Sequence, residues 1–177
     1  AESVRMKHLT EELLSLTRSE DAQRKPVLQR VDFSYLVTDS ILLFDASVFE
    51  SGKALSYDVE EEIHVVGDAP ALSQLLEILL DNAVKYGAAG GAITLTLQKN
   101  DRQARLTVAN PGAPIPPEQL DRLFERFYRA DASRGEQSGF GLGLPIAASI
   151  ATEHKGTLKA ESDQASTRFL FSMPLKK

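Results

Sequence analysis

The chain contains no cysteine, which excludes disulfide staples and thiolate metal sites and fits a reducing compartment such as the cytoplasm. It lacks any apolar run near the roughly 18 residues of a membrane span, and no signal-peptide pattern opens it. Excess charge is scarce too. Twenty Lys and Arg against 25 Asp and Glu leave a net charge of −5, a mild acidity that speaks against nucleic acid as the main partner. Internal repeats and low-complexity tracts are absent. What remains is an ordinary globular composition, 177 residues and 42% hydrophobic, enough for one domain with a real core.

The first 25 residues stand apart. Met6, Leu9, Leu13 and Leu16 are spaced three, four and three apart, a narrow apolar seam flanked by charge. Such a seam belongs either to a helix paired with another helix or to an amphipathic helix lying on its own domain. Pro26 ends this unit, and the start at Ala1, partway through a helical pattern, reads as a fragment of something longer. From residue 26 to 177 the pattern is compact α/β. "VLQRVDF" predicts a short strand, and the next segment a helix with Val37, Ile41, Phe44 and Val48 on one face, closed at Gly52. "ALSYDV" and "IHVVGD" read as strands. "APALSQLLEILLDNAVKYG" is the strongest helix, with Leu72, Leu75, Leu76, Leu79 and Ala83 as its buried stripe and Gly87 as its stop. A hairpin turning near Asn100 and Asp101 follows, then a short helix, "PPEQLDRLFERFYR", with proline in its first turn. A polar stretch, "ADASRGEQSG", is read as a mobile loop. The helix "LPIAASIATEHKG" and a last hairpin complete the chain.

Chemistry concentrates in four places. "SGFGLGLPIAASI" sets Gly139, Gly141 and Gly143 ahead of a helix start, where backbone N–H groups and the helix dipole favour an anion. It is not a dinucleotide fingerprint, because Leu144 replaces the third glycine and no strand precedes it, nor a Walker loop, for want of Gly-Lys-Ser/Thr. In "LLDNAVKYG", Asn82 and Tyr86 are four apart on one helix with Lys85 between them. An amide oxygen suits Mg²⁺, a lysine suits a phosphate, and a tyrosine ring suits a base; equally, all three could cap an exposed helix face. "NPGAPI" offers Asn110 for an adenine edge and Gly112 for close approach of a flat ring, or is a plain Asn-Pro-Gly turn. In "LFERFYR" the spacing of Phe124 and Phe127 is that of core residues on a helix, while Arg126, Arg129 and Arg134 stand beside or within a loop able to close on phosphates.

In this fixed order the four segments resemble the N box, first glycine box, F box and second glycine box of the catalytic ATP-binding domain of bacterial sensor histidine kinases. These belong to the ATPase superfamily shared with DNA gyrase, Hsp90 and MutL. The resemblance spans roughly residues 26–177. It implies a two-layer α/β sandwich, the Bergerat fold, with a mixed sheet covered on one face by three helices and an N-terminal helix in front. By the same resemblance Asn82 ligates Mg²⁺, Lys85 contacts a phosphate and Tyr86 packs on the adenine. Asn110 stands at the adenine edge and Gly112 lines the base pocket. Gly139, Gly141 and Gly143 hold the phosphate chain through backbone N–H groups, under a lid from about Arg129 to Ser138, and Ile115, Phe127, Leu142 and Leu144 count among the nucleotide-binding residues. Arg126, Arg129 and Arg134 are the lid-side cations, the first two counted with Asn82 and Lys85 as catalytic.

Three positions depart from the family pattern. Asn110 stands where an Asp usually accepts the adenine amino proton, a loss of charge assistance of about 1 kcal/mol. Pro114 replaces the second glycine of its box. Ile78, four residues before Asn82, replaces the Glu that serves related hydrolases as general base, and Glu77 points about 100° away. A kinase whose nucleophile is an imidazole needs no such base. No His-Glu/Asp-Leu-Arg-type motif surrounds His8, His64 or His154. Residues 1–25 then read as the tail of the second helix of a dimerisation hairpin, and the fragment is expected to bind ATP without phosphorylating itself. The implied partners are the histidine-bearing hairpin of the same protein, a response regulator and a second copy in the full-length kinase. That kinase is expected at the inner or plasma membrane with this domain in the cytoplasm. The alternatives are a degenerate nucleotide-binding regulatory module, which Asn110, Pro114 and Ile78 favour, and a serine kinase of the anti-sigma type.

Overall fold

The computed structural model describes residues 26–128 and 141–176. The Met6–Leu16 seam, His8, Arg129, Arg134 and Gly139 lie outside the described residues. The elements run β1 (Gln29–Asp32), α1 (Phe33–Glu50), β2 (Ala54–Val59), β3 (His64–Gly67), α2 (Ala69–Tyr86), β4 (Ala92–Asn100), β5 (Gln103–Asn110), α3 (Pro117–Leu120), a 3₁₀ turn (Asp121–Phe124), α4 (Gly143–Glu153), β6 (Thr157–Ser162) and β7 (Thr167–Pro174).

Five strands form one mixed sheet in the order β2-β4-β5-β7-β6, parallel at β2–β4 and antiparallel elsewhere. Alternation along the strands sends one set of side chains to a single face. Leu95 pairs with Val108 and Val108 with Phe169; Leu97 pairs with Leu106 and Leu106 with Phe171. All six are buried, each contributing about 1.5–3 kcal/mol on leaving water. The three long helices cover that face. In α1 the inner residues Val37, Ile41 and Val48 are buried and Phe44 packs partly against them. Its first residue, Phe33, meets Phe171 edge-on with ring centroids 6.2 Å apart. The expected stripe of α2 is fully buried, joined by Leu80. Helix α4 buries Leu144, Ile146, Ala147, Ile150 and Ala151.

Carboxylates start the first two helices. Asp32 accepts from the Tyr35 N–H at 3.0 Å, and Asp68 from that of Ala71 at 3.2 Å, each relieving a donor that helix geometry leaves unpaired. Gly87 closes α2, its N–H donating to the Ala83 carbonyl at 2.9 Å. The far ends of α2 and α4 meet at His154. Its Nδ1 bonds the Ile150 carbonyl at 2.7 Å, and its Nε2 accepts the Asp68 N–H at 2.9 Å. His154 is therefore a buried structural residue and His64 a residue of strand β3, in keeping with their unsuitability as phosphoacceptors.

The strands β1 and β3 pair with each other, antiparallel, in a two-stranded sheet separate from the mixed one; a single bridge, Val65 to Leu175, connects β3 with the chain after β7. One expectation is corrected. The helix expected through "LFERFYR" stops early. After α3 the chain tightens into the 3₁₀ turn, Glu125 is extended, and Phe127 adopts a φ of +63°. Phe124 packs partly against the core, but Phe127 is 63% exposed. A tertiary bond decides this: the Phe127 N–H donates to the Gly141 carbonyl at 3.0 Å, and a continuing helix would have committed that donor to its own turn.

Candidate functional site

The C-terminal half of α2 forms the floor on which the other segments converge. Asn82 is half-buried, whereas Lys85 and Tyr86 are exposed. The Lys85 ammonium lies 2.6 Å from the Asp81 carboxylate, one turn earlier on the same helix. On one side the glycine-rich turn enters α4: a Cβ on Gly143 would stand 3.3 Å from Cγ2 of Ile78, one turn before Asn82. The departure at Ile78 thus fills an apolar contact under the turn. Leu142 and Leu144 are both buried and anchor the helix start. Gly141 has φ +75°, and a Cβ there would lie 2.7 Å from the Tyr128 carbonyl. Only glycine meets both constraints.

On the other side, the loop after β5 lies over the end of α2. A Cβ on Gly112 would stand 3.4 Å from the Tyr86 carbonyl and 3.8 Å from the Asn110 amide nitrogen. The Ala88 N–H donates to the Pro111 carbonyl at 2.7 Å, fixing the loop to the helix end. Asn110 is 4% exposed, and its amide reaches the Pro111 carbonyl only at the 3.5 Å limit. Directly opposite Asn110 in the β5–β7 register stands Thr167, also buried. Its hydroxyl lies 2.9 Å from that of Ser162, which in turn accepts the Ile115 N–H at 2.9 Å. Ser162 is held by the β6–β7 turn, where the Ala165 and Ser166 N–H groups and then Arg168 keep the Asp163 carboxyl below the ordinary carboxylate range.

The structure therefore gathers Asn82, Lys85 and Tyr86 with Asn110 and Gly112 on one flank and Gly141–Leu144 on the other. Ile115 sits farther along the loop, tied to β6. Arg126 is exposed at the end of the F box, one residue before the bond joining Phe127 to Gly141. Thr167 is a residue the sequence reading missed. The alternation Thr167-Phe169-Phe171-Met173, one polar side chain heading a buried stripe, carried the signal.

The residues present suit a divalent ion only together with a ligand. Among the described residues no three His, Cys, Asp or Glu side chains converge as a metal site. Asn82 offers a single amide oxygen, which fits Mg²⁺ when phosphates and waters supply the other positions. A second depression, about 470 Å³ between the N-terminal half of α1 and β2, is lined by Asp32, Asp58, Glu61 and Glu62. It has the wrong charge for a polyphosphate.

Comparison with known proteins agrees with this geometry. Residues 67–177 match the family described as histidine kinase-, DNA gyrase B- and HSP90-like ATPase. Sensor histidine kinase CusS of Escherichia coli K12 is 36% identical over 98% of the chain and 36% of its own length. The chain spans less than half the length of the curated relatives it matches. The catalytic domain of histidine kinase ThkA superposes with a TM-score of 0.74 at 26% identity, over 83% of this chain and 95% of that one. Full-length ShkA, solved in complex with AMPPNP, gives a TM-score of 0.82 at 26% identity, over 96% of this chain and 35% of that one. The chain belongs to the histidine kinase-, DNA gyrase B- and HSP90-like ATPase family, as an ATP-binding catalytic domain of the sensor histidine kinase kind.

Proposed function

We propose that the chain binds Mg-ATP between the end of α2, the loop after β5 and the glycine-rich turn before α4, and presents the γ-phosphate to a histidine on a dimerisation hairpin. The observation that carries this is the approach of Gly143 and Gly112 to one helix at two levels, beside Ile78 and at the Tyr86 carbonyl, the stretch between them holding Asn82 and Lys85. The adenine lies over Tyr86 and Gly112, with Asn110 and its neighbour Thr167 as partners for the base edge. The phosphates run toward Gly139, Gly141 and Gly143, where the N-terminus of α4 favours an anion. ShkA's complex with AMPPNP supports a nucleotide in this fold.

Asn82 would hold Mg²⁺ through its amide oxygen, the ion contributing charge neutralisation between phosphate oxygens. Lys85 neutralises a phosphate, and Arg126, Arg129 and Arg134 supply further charge from the lid side. Catalysis here is positioning and electrostatics, with the imidazole as nucleophile. The phosphate then passes to an aspartate of a response regulator. Residues 1–25 are the tail of the hairpin's second helix. The whole kinase acts as a homodimer anchored at the membrane by other segments.

Calorimetric titration with a non-hydrolysable ATP analogue, with and without Mg²⁺, tests the reading. Mg²⁺-dependent binding that Asn82→Ala weakens is the expected result. Absence of binding up to millimolar nucleotide would overturn it in favour of a degenerate docking module in which Ile78, Asn110 and Pro114 have cost the site its ligand.

A further inference from the structure

A row of three neutral side chains crosses the sheet at its β5–β7–β6 end. Asn110 closes β5, Thr167 opens β7 directly opposite it, and Ser162 closes β6 opposite Thr167. Asn110 and Thr167 are both buried, and the Ser162 and Thr167 hydroxyls lie 2.9 Å apart, with either able to donate. A hydroxyl donates or accepts as its partner requires, and an amide does both from opposite ends. None of the three is a carboxylate, which when ionised only accepts. The next acid in the chain, Asp163, is an exposed turn residue. Its oxygens are taken by the Ala165 and Ser166 N–H groups and by Arg168.

The Asn110 amide is lightly held. Its nitrogen meets the Pro111 carbonyl at 3.5 Å, the outer limit of a hydrogen bond. Among the described residues no other group bonds it. Exchanging its oxygen and nitrogen ends therefore gives up one weak contact. A Cβ on Gly112 would stand 3.8 Å from that nitrogen and 3.4 Å from the Tyr86 carbonyl, so the amide lies beside the loop and the helix end assigned above to the base.

Adenine and guanine offer opposite chemistry at this edge. At position six adenine carries an amino donor and guanine a carbonyl acceptor. The neighbouring ring nitrogen is an acceptor in adenine and an N–H donor in guanine. An amide meets the first base with its oxygen and the second with its nitrogen, and the Thr167 hydroxyl reverses with it. A carboxylate at position 110 would suit the amino group and repel the carbonyl of a base seated the same way. Strong discrimination arises where one of the two bases leaves a buried polar group unpaired. This row pairs with both.

We propose, on the Mg-nucleotide reading above, that the site takes guanine as well as adenine nucleotides, and that Asn110 sets this breadth by turning its amide.

Calorimetric titration of the whole chain with non-hydrolysable ATP and GTP analogues, both with Mg²⁺, tests it. The two dissociation constants should agree within about tenfold, and each analogue should displace the other. Asn110→Asp should hold the ATP analogue at least as tightly and bind the GTP analogue at least about tenfold more weakly, since the guanine carbonyl loses its donor. In the ¹⁵N-labelled parent, which needs no substitution to fold, the Asn110 side-chain amide signal should move with either analogue. A GTP analogue that binds the parent more than about tenfold more weakly than the ATP analogue would overturn the proposal and leave the nucleotide site standing. So would a GTP analogue that the ATP analogue cannot displace, an Asn110 amide signal that answers to the ATP analogue alone, or an Asn110→Asp variant that binds both in the parent's ratio. Binding of neither analogue by the parent would overturn the nucleotide site itself, and the breadth of base with it.

Discussion

Asp81 and Lys85 form an ion pair at 2.6 Å on the exposed shoulder of α2, so the lysine expected to meet a phosphate already has an anionic partner. Exposed pairs of this kind are worth about 0.2–1 kcal/mol. An incoming phosphate must displace the carboxylate or share the ammonium with it. Asp81→Asn should therefore tighten Mg-nucleotide binding by up to about fivefold. Lys85→Met should weaken it and, combined with Asp81→Asn, remove most of the gain. Titration at low and high salt reads both, and the gain should shrink as salt rises. An Asp81→Asn variant that binds more weakly than the parent would mean that the carboxylate orients Lys85 instead of occupying it.

Asn110 faces Thr167 where β5 ends and β7 begins, buried, and supplies a neutral acceptor. Asn110→Asp restores a charged one, and a gain of about 1 kcal/mol corresponds to about fivefold tighter nucleotide. Competition between ATP and GTP analogues should show the gain for adenine alone.

The two glycines flanking Leu142 are expected to behave differently. Gly141→Ala forces a Cβ into the Tyr128 carbonyl at positive φ, costing about 1–3 kcal/mol and loosening the bond to Phe127. Gly143→Ala meets only a methyl group of Ile78 at 3.3 Å and should cost much less stability. Urea unfolding of the two variants, followed by circular dichroism, separates them.

His154→Leu leaves the buried Asp68 N–H and the Ile150 carbonyl without their ring partner. The expected loss is about 1–3 kcal/mol, seen as an earlier denaturation midpoint with an unchanged slope. Nucleotide affinity, measured well below the midpoint, should hardly move, because His154 lies at the far ends of α2 and α4 from Asn82.

Much of this was legible because periodicity survives translation into three dimensions. The α2 stripe from Leu72 to Ala83 and the alternation of β4, β5 and β7 were readable from spacing alone. So were the four boxes, although the meeting of Gly112 and Gly143 on one helix needed the fold. The early stop after Phe124 was not readable, since it depends on a bond between Phe127 and a residue fourteen positions on, and helix propensity gives no warning of it. Pairing of β1 with β3 rather than with the mixed sheet is likewise a tertiary choice between two short strands.

The Phe127–Gly141 bond also fixes a distance. It holds two residues fourteen positions apart side by side, just before the start of α4. Closing a longer loop costs only about 0.6 kcal/mol for each doubling of its length. Chain length added between the two residues would therefore cost little, provided that the bond, and with it the entry into α4, is kept.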